Sequence, residues 1–389
     1  MVFYLYQSFG VRLIAPIAVL FLLNKGLSYT QIMLLQSICA MSISLLEVPT
    51  GVVADLIGRR FSLMMSSVMF IIGLITYVLT YNFYVFIIAE IMFALGLCFK
   101  SGADSALLYD SLKEIGRTGE YAKVQGRAQS YALMVQTIGS VAVGYLYSMN
   151  VNLPYIISVG LLAISGVITL FFKEVSAYKR GERPSYFNQV RESAIYAVNH
   201  QKVRAIIIFS VFIYVFWRIG FWYYQPYMKA VNIDVKYFGI LFAIFNLMAA
   251  ISSWKANSII KLSKNKPLII LSMLFVSSFL LIGMTRFFIG ALFIIPQEMA
   301  RGIRRPIILK YINENIPSNK RATIISFKSL AENLVVAIAY PFIGMMIDNV
   351  DIVYLHVYTG VVMLLGTVGL YIYLNKSIGT SKVSHSYDI

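Results

Sequence analysis

The chain has 389 residues, 59% of them hydrophobic and 13% charged, where an ordinary soluble protein has roughly 45–50% and 25%. A soluble globule is excluded: at about twenty apolar residues per bilayer crossing, the hydrophobic material suffices for about eleven or twelve spans and leaves no room for a separate soluble domain. The net charge of +16, from 33 Lys and Arg against 17 Asp and Glu, points to loops facing an anionic cytoplasmic leaflet and away from nucleic acid.

Apolar windows along the chain predict spans near 2–23, 30–54, 61–80, 83–112, 124–148 and 152–172, then near 203–228, 235–260, 267–284, 287–312, 321–347 and 353–374. The opening run from Val2 to Leu23 reads as a first span, since neither a basic leader nor a small-residue cleavage site accompanies it. The expected fold is therefore an all-α integral membrane protein with twelve transmembrane helices in two six-helix, pseudo-symmetric halves, 1–172 and 203–374. Residues 173–202 are a polar cytoplasmic linker, with an amphipathic piece around Tyr186 to Val198, and 375–389 are a cytoplasmic tail. Cys39 and Cys98 both sit in apolar runs, where they suit packing better than a disulfide or a metal site.

With both termini inside, the inner loops hold 21 Lys and Arg and the outer loops only four, Lys25, Lys229, Lys236 and Arg286. This asymmetry fixes the orientation. A repeat at a spacing of about 200 residues supports two parallel halves related by an axis along the membrane normal. Ser101-Gly102-Ala103-Asp104 in span four is matched by Arg301-Gly302-Ile303-Arg304 in span ten, and spans five and eleven open on Arg127-Ala128 and Arg321-Ala322 and close on Gly144 and Gly344. Such an arrangement places a substrate site at the midplane between the halves.

The turn after span two reads Gly51-Val-Val-Ala54-Asp55-Leu-Ile-Gly58-Arg59-Arg60-Phe-Ser-Leu63. It resembles the signature of the major facilitator superfamily, G-x-L-A-D-R-x-G-R-K-x-x-L, with Val53 and Leu56 as departures. The resemblance implies a twelve-span transporter in which Gly51, Asp55, Gly58, Arg59, Arg60 and Arg127 belong to a cytoplasmic gate. Glu47, two turns before Asp55, belongs by the same reading to the gate or to a proton path. Drug antiporters of the superfamily carry G-P-x-x-G-G late in span five, where this chain has Gly139-Ser140-Val-Ala-Val143-Gly144, and the span-four pattern R-x-x-Q-G would put its Arg at Cys98. Both departures count against drug–proton antiport.

Charges inside spans are expensive and mark partners or watery cavities. They comprise Arg12, Glu90, Lys100, Asp104 and Asp110 in the first half, and Arg218, Lys255, Glu298, Arg301, Arg304, Arg305, Lys328 and Glu332 in the second. Spans one, four, seven and ten line the cavity of the superfamily, so the resemblance points to Arg12, Lys100, Arg218, Glu298 and Arg301 as substrate-binding residues; the aromatic run of span seven adds Trp217 and Trp222, either as a wall of that site or as part of an interfacial belt. Lys100 with Asp104, and Lys328 with Glu332, are four apart, which puts each pair on one helix face, and Glu298 with Arg301, three apart, makes a similar pair. The competing reading is that these pairs serve packing alone. Glu47, Asp104, Glu298 and Glu332 are the proton-coupling candidates. Tyr223 to Tyr227 read as an interfacial aromatic belt.

No His cluster suits a metal and no Gly-rich Lys loop suits ATP, so no cofactor is expected and the proton gradient is the energy source. The basic surplus favours an amphipathic or partly anionic solute. The function that emerges is secondary transport at the cell membrane by a monomer, as proton-coupled efflux, with proton-symport uptake of a small organic anion as the alternative. An integral-membrane lipid-modifying enzyme is the rival from another class, and a non-transporting receptor on the same fold a third reading.

Overall fold

A computed structural model describes residues 1–174, 194–262 and 266–378. Apart from short 3₁₀ turns, its regular elements are α-helices. In chain order they are α1 (Val2–Phe9), α2 (Ala18–Asn24), α3 (Tyr29–Leu56), α4 (Arg59–Leu79), α5 (Phe83–Lys100), α6 (Ala103–Glu114), α7 (Tyr121–Met149) and α8 (Leu153–Thr169), followed by α9 (Gln201–Ala230), α10 (Phe238–Trp254), α11 (Ala256–Leu262), α12 (Pro267–Gly283), α13 (Ile295–Asn315), α14 (Ser318–Asn349) and α15 (Ile352–Ile378). Among the described residues eight helical stretches are long and apolar enough to cross a membrane, and α8 and α12 are shorter apolar helices. The order of elements follows the twelve expected spans. Most of the amphipathic piece expected in the linker lies outside the described residues.

Three spans are interrupted where single helices were expected. The first breaks between α1 and α2, where Pro16 has no N–H to give and Gly10 ends the helix. Side chains of α8 brace the break: Leu13 N–H donates to Ser158 Oγ at 3.1 Å, and Ser165 Oγ donates at 3.0 Å to the Tyr6 carbonyl, which also accepts the Gly10 N–H at 2.9 Å. Irregular backbone at membrane depth is tolerated only with such compensation. The fourth span breaks between α5 and α6 at Gly102, whose φ of 77° is left-handed. The eighth breaks between α10 and α11 at Lys255. The tenth enters through a 3₁₀ stretch, Phe288–Ile294, before α13.

The chain forms two compact units: Met1–Arg183 with Asp234–Ala243 and Tyr340–Asp348, and Pro184–Ile233 with Ile244–Ala339 and Asn349–Ile389. In the first unit α4 packs on α5 and α8, α3 on α5, and α1 on α7 and α8. Small residues permit the close approach that dispersion alone must drive in lipid. At Gly96 an added Cβ would come within 2.8 Å of the Phe70 ring, beside the Ser66 Oγ to Gly96 carbonyl hydrogen bond of 2.7 Å. The two glycines that close spans five and eleven act alike: Gly144 lies against the Val235 carbonyl and Gly344 against Tyr29 and Thr30. Next to Gly344, Asp348 caps α3, accepting the N–H groups of Tyr29 and Thr30 at 2.9 and 2.8 Å and the Thr30 hydroxyl at 2.6 Å. In the second unit α12 packs on α15 and α13, and α9 on α15 and α13.

Candidate functional site

The signature turn connects α3 to α4. Gly51, Asp55 and Glu47 lie on the last turns of α3 and are exposed, and Arg127 is exposed on α7. Gly58 has a φ of 126°, a conformation that favours glycine. Its Cβ position is closed by the Glu174 carboxylate, which accepts the N–H groups of Arg59 and Arg60 at 2.8 and 2.9 Å. A carboxylate on the first turn of α4 meets both its unpaired donors and its positive dipole end. The Arg59 side chain pairs with Asp110 of α6. The sequence reading placed Arg59 and Arg60 at this turn but missed Glu174, whose signal was an acid directly after span six.

The first unit gathers two polar clusters. Arg12 sits in the non-helical segment between α1 and α2, its guanidinium 4.2 Å from the Phe70 ring and 5.9 Å from that of Phe93. Within its electrostatic reach lies Glu90 of α5, which is 3% exposed. Glu90 Oε1 accepts from Gln36 Nε2 at 2.8 Å and from the Tyr77 hydroxyl. Sequence reasoning noted Glu90 as an intramembrane charge without giving it a role. Gln36 and Tyr77, its donors on α3 and α4, carry no one-dimensional signal.

The second cluster corrects an expectation. Lys100 is the last residue of α5 and Asp104 lies in the first turn of α6, so the break at Gly102 removes the shared helix face that their spacing implied. Asp104 Oδ2 instead accepts from Gln7 Nε2 at 3.0 Å, and Lys100 Nζ stands 5.4 Å from the Tyr6 ring. Lys100 and Asp104 stay within electrostatic reach of each other.

In the second unit α9, α13 and α14 bring the remaining candidates together in two groups. Glu298 and Arg301, on successive turns of α13, pair at 2.6 Å; Arg301 also donates to Asn246 Oδ1 of α10 at 2.8 Å, and Tyr224 of α9 donates to Glu298 at 3.0 Å. The other group centres on Glu332 of α14, which meets Lys328 Nζ at 2.9 Å, Arg304 Nη1 at 3.5 Å and Ser210 Oγ at 2.7 Å. Trp217 and Arg218 flank it, Trp217 lying 5.0 Å from the Arg304 guanidinium. Trp222 is buried against Phe221.

The aromatic belt expected at Tyr223 to Tyr227 is corrected. Tyr223, Tyr224 and Tyr227 are 1%, 1% and 0% exposed, with Tyr227 donating to the Thr285 carbonyl at 2.9 Å and Tyr223 packed against His356. Each hydroxyl or ring has a partner inside the unit, so α9 keeps its tyrosines within the protein rather than at the lipid headgroups.

Outside the spans, Asp351 caps α15 by accepting the Val353 N–H at 2.8 Å and pairs with Arg286 at 3.1 Å. Burial alone would raise the Asp351 carboxyl, but the Val353 N–H and the Arg286 guanidinium together hold it below its ordinary value.

A family model described as Major Facilitator Superfamily matches residues 1–224 and 205–385. The chain is 24% identical over 343 residues, 83% of this chain and 82% of the relative, to YxaM of Bacillus subtilis (strain 168), an uncharacterized MFS-type transporter. Among solved structures it resembles the nucleoside transporter NupG, with a TM-score of 0.78 at 12% identity over 96% of both chains. It also resembles a D-xylose-proton symporter, with a TM-score of 0.66 at 13% identity over 97% of this chain and 96% of that one.

Proposed function

The chain belongs to the Major Facilitator Superfamily and is a multi-pass membrane transporter; on that premise we propose that it moves a small amphipathic solute bearing an anionic group across the cell membrane, with the proton gradient as energy source. Transport is by alternating access, and both termini are cytoplasmic. The observation that carries the anionic preference is the surplus of cations in the second unit. Arg301, Arg304 and Lys328 ion-pair there with the two carboxylates Glu298 and Glu332, and Arg218 and Arg305 are further cations within electrostatic reach of Arg304. A carboxylate or phosphate on the solute would pair with these cations, and the half-buried Trp217 ring of α9 would take its apolar body.

Two directions fit. Proton-driven efflux is favoured by the short, featureless outer loops, which offer no docking surface for a solute-delivering partner. Uptake by proton symport is favoured by carboxylates set directly among the binding cations, where proton and anion can load together. The test is accumulation. Cells overproducing the protein are given a panel of aromatic carboxylates and phosphate monoesters, and internal levels are followed with and without a protonophore. Protonophore-sensitive accumulation supports uptake, and protonophore-sensitive depletion supports efflux. No difference from cells lacking the protein, with the protein present in the membrane, rejects an anionic solute.

A further inference from the structure

The end of α12 and the beginning of α15 lie in close contact: a Cβ added at Gly283 would come within 2.5 Å of Val357 Cγ2, and one at Gly360 within 2.8 Å of Leu280 Cδ2. Glycine makes that approach possible. Further along the pair the two helices part. Gly366 still meets the Phe212 ring of α9, but a Cβ at Gly369 would stand in open space. Between the helices lies a groove of about 520 Å³, walled by Ile269, Met273, Leu274 and Leu280 of α12 and by Leu364 of α15. Ser277, also in the wall, donates its hydroxyl to the Leu274 carbonyl at 3.2 Å, which leaves the surface apolar.

The groove has the depth of one leaflet. At about 1.5 Å per residue the helical stretch from Ile269 to Leu280 is about 17 Å long, and half of a bilayer core is about 15 Å. Its mouth is basic. The residues leading into α12 read Lys261-Leu-Ser-Lys264-Asn-Lys266. Lys261 and Lys266 are exposed, and the Lys266 carbonyl accepts the N–H groups of Ile269 and Ile270, so Lys266 stands one turn before the apolar wall. No Asp or Glu occurs in α10, α11, α12 or α15, so these helices supply no acid to the lysines. An apolar slot one leaflet deep with a cationic mouth matches a molecule with an acyl chain and an anionic headgroup. Left empty, its walls would lose the contacts that hold membrane helices together.

We propose that the groove between α12 and α15 binds an anionic phospholipid of the cytoplasmic leaflet, one acyl chain lying along Met273 and Leu364 and the phosphate held at Lys266 and Lys261. The leaflet rests on the reading that both termini are cytoplasmic; the binding does not. A zwitterionic lipid fills the same slot but gains less at its mouth, where each lysine adds roughly a fivefold preference for an anionic headgroup. A second copy of the chain fits the face less well, because a two-fold axis along the membrane normal would bring lysines against lysines.

The test uses the full-length protein in detergent micelles with equal amounts of dioleoylphosphatidylglycerol and dioleoylphosphatidylcholine, and native mass spectrometry counts the lipid retained. The wild type should hold one phosphatidylglycerol about tenfold or more tightly than phosphatidylcholine. Lys261→Gln combined with Lys266→Gln should cut that preference to about twofold or less while a lipid is still held. Ser277→Phe, which fills the groove from an exposed position, should abolish the tight lipid of either kind. A second measurement needs no variant: phosphatidylglycerol carrying a photoreactive diazirine on its acyl chain, crosslinked in nanodiscs, should label Ile269 to Leu280 and the turn around Leu364 above all other spans. Equal retention of the two lipids, labelling spread evenly over the spans, or a dimer whose formation excludes the label overturns the proposal and leaves the transport reading standing. A C-terminal tag reached from outside intact cells overturns the leaflet and the orientation, and leaves the binding.

Discussion

Removing the Glu90 carboxylate would strand two buried donors, Gln36 Nε2 and the Tyr77 hydroxyl, and leave Arg12 without a nearby counter-charge. Each donor left unpaired at that depth costs about 1–3 kcal/mol. Glu90→Ala should therefore lower thermal stability in detergent clearly more than Glu90→Gln, which keeps an oxygen acceptor. Equal melting of the two variants would refute the network. At the membrane surface Asp351 supplies a pH effect of known sign. Its carboxyl is held below its ordinary value in the folded protein, so the stability it adds is present above the unfolded carboxylate range and is lost as pH falls through about 4 and below. The melting temperature of the wild type should drop over that acidic window, and Asp351→Asn should lose that part of the drop. Of these residues the sequence revealed Arg12 and Glu90 through their apolar flanks. Their partners, Gln36 and Tyr77, looked like any other polar residue in a span, because pairing across helices leaves no trace in local spacing.

At the scale of elements, Glu174 should be worth about 1 kcal/mol to the start of α4, as a side chain that satisfies a helix's first donors usually is. Glu174→Ala should lower the melting temperature, Glu174→Gln should lower it less, and amide exchange at Arg59 and Arg60 should accelerate only in the former. Unchanged exchange would remove the cap from the account. The helices themselves were legible as apolar runs, and the ion pairs Glu298 with Arg301 and Lys328 with Glu332 followed from helical spacing. The interruptions were not. Pro16 and Gly102 fell inside spans taken as continuous, since hydropathy averages over a window and cannot register that Ser158 and Ser165 brace a broken first span. The cost of that blindness was the Lys100 with Asp104 pair, whose spacing means nothing across a left-handed glycine. The tyrosines of α9 were misplaced for a related reason: an aromatic cluster near a span end looks the same whether it meets headgroups or neighbouring helices.

For the whole molecule, composition and the contrast between inner and outer loop charges were enough to reach a twelve-span membrane protein, and the signature turn at Gly51 to Leu63 was enough to reach the family. The central claim is that this transporter couples proton movement to an anionic solute. The most direct measurement is lumenal pH in proteoliposomes loaded with a pH-sensitive dye, while organic anions, lipophilic cations and peptides are added outside in turn. The account predicts a change of lumenal pH with organic anions alone, acidification if proton and anion move together and alkalinisation if they exchange. No change with any anion, or a proton flux evoked only by cations, would contradict it.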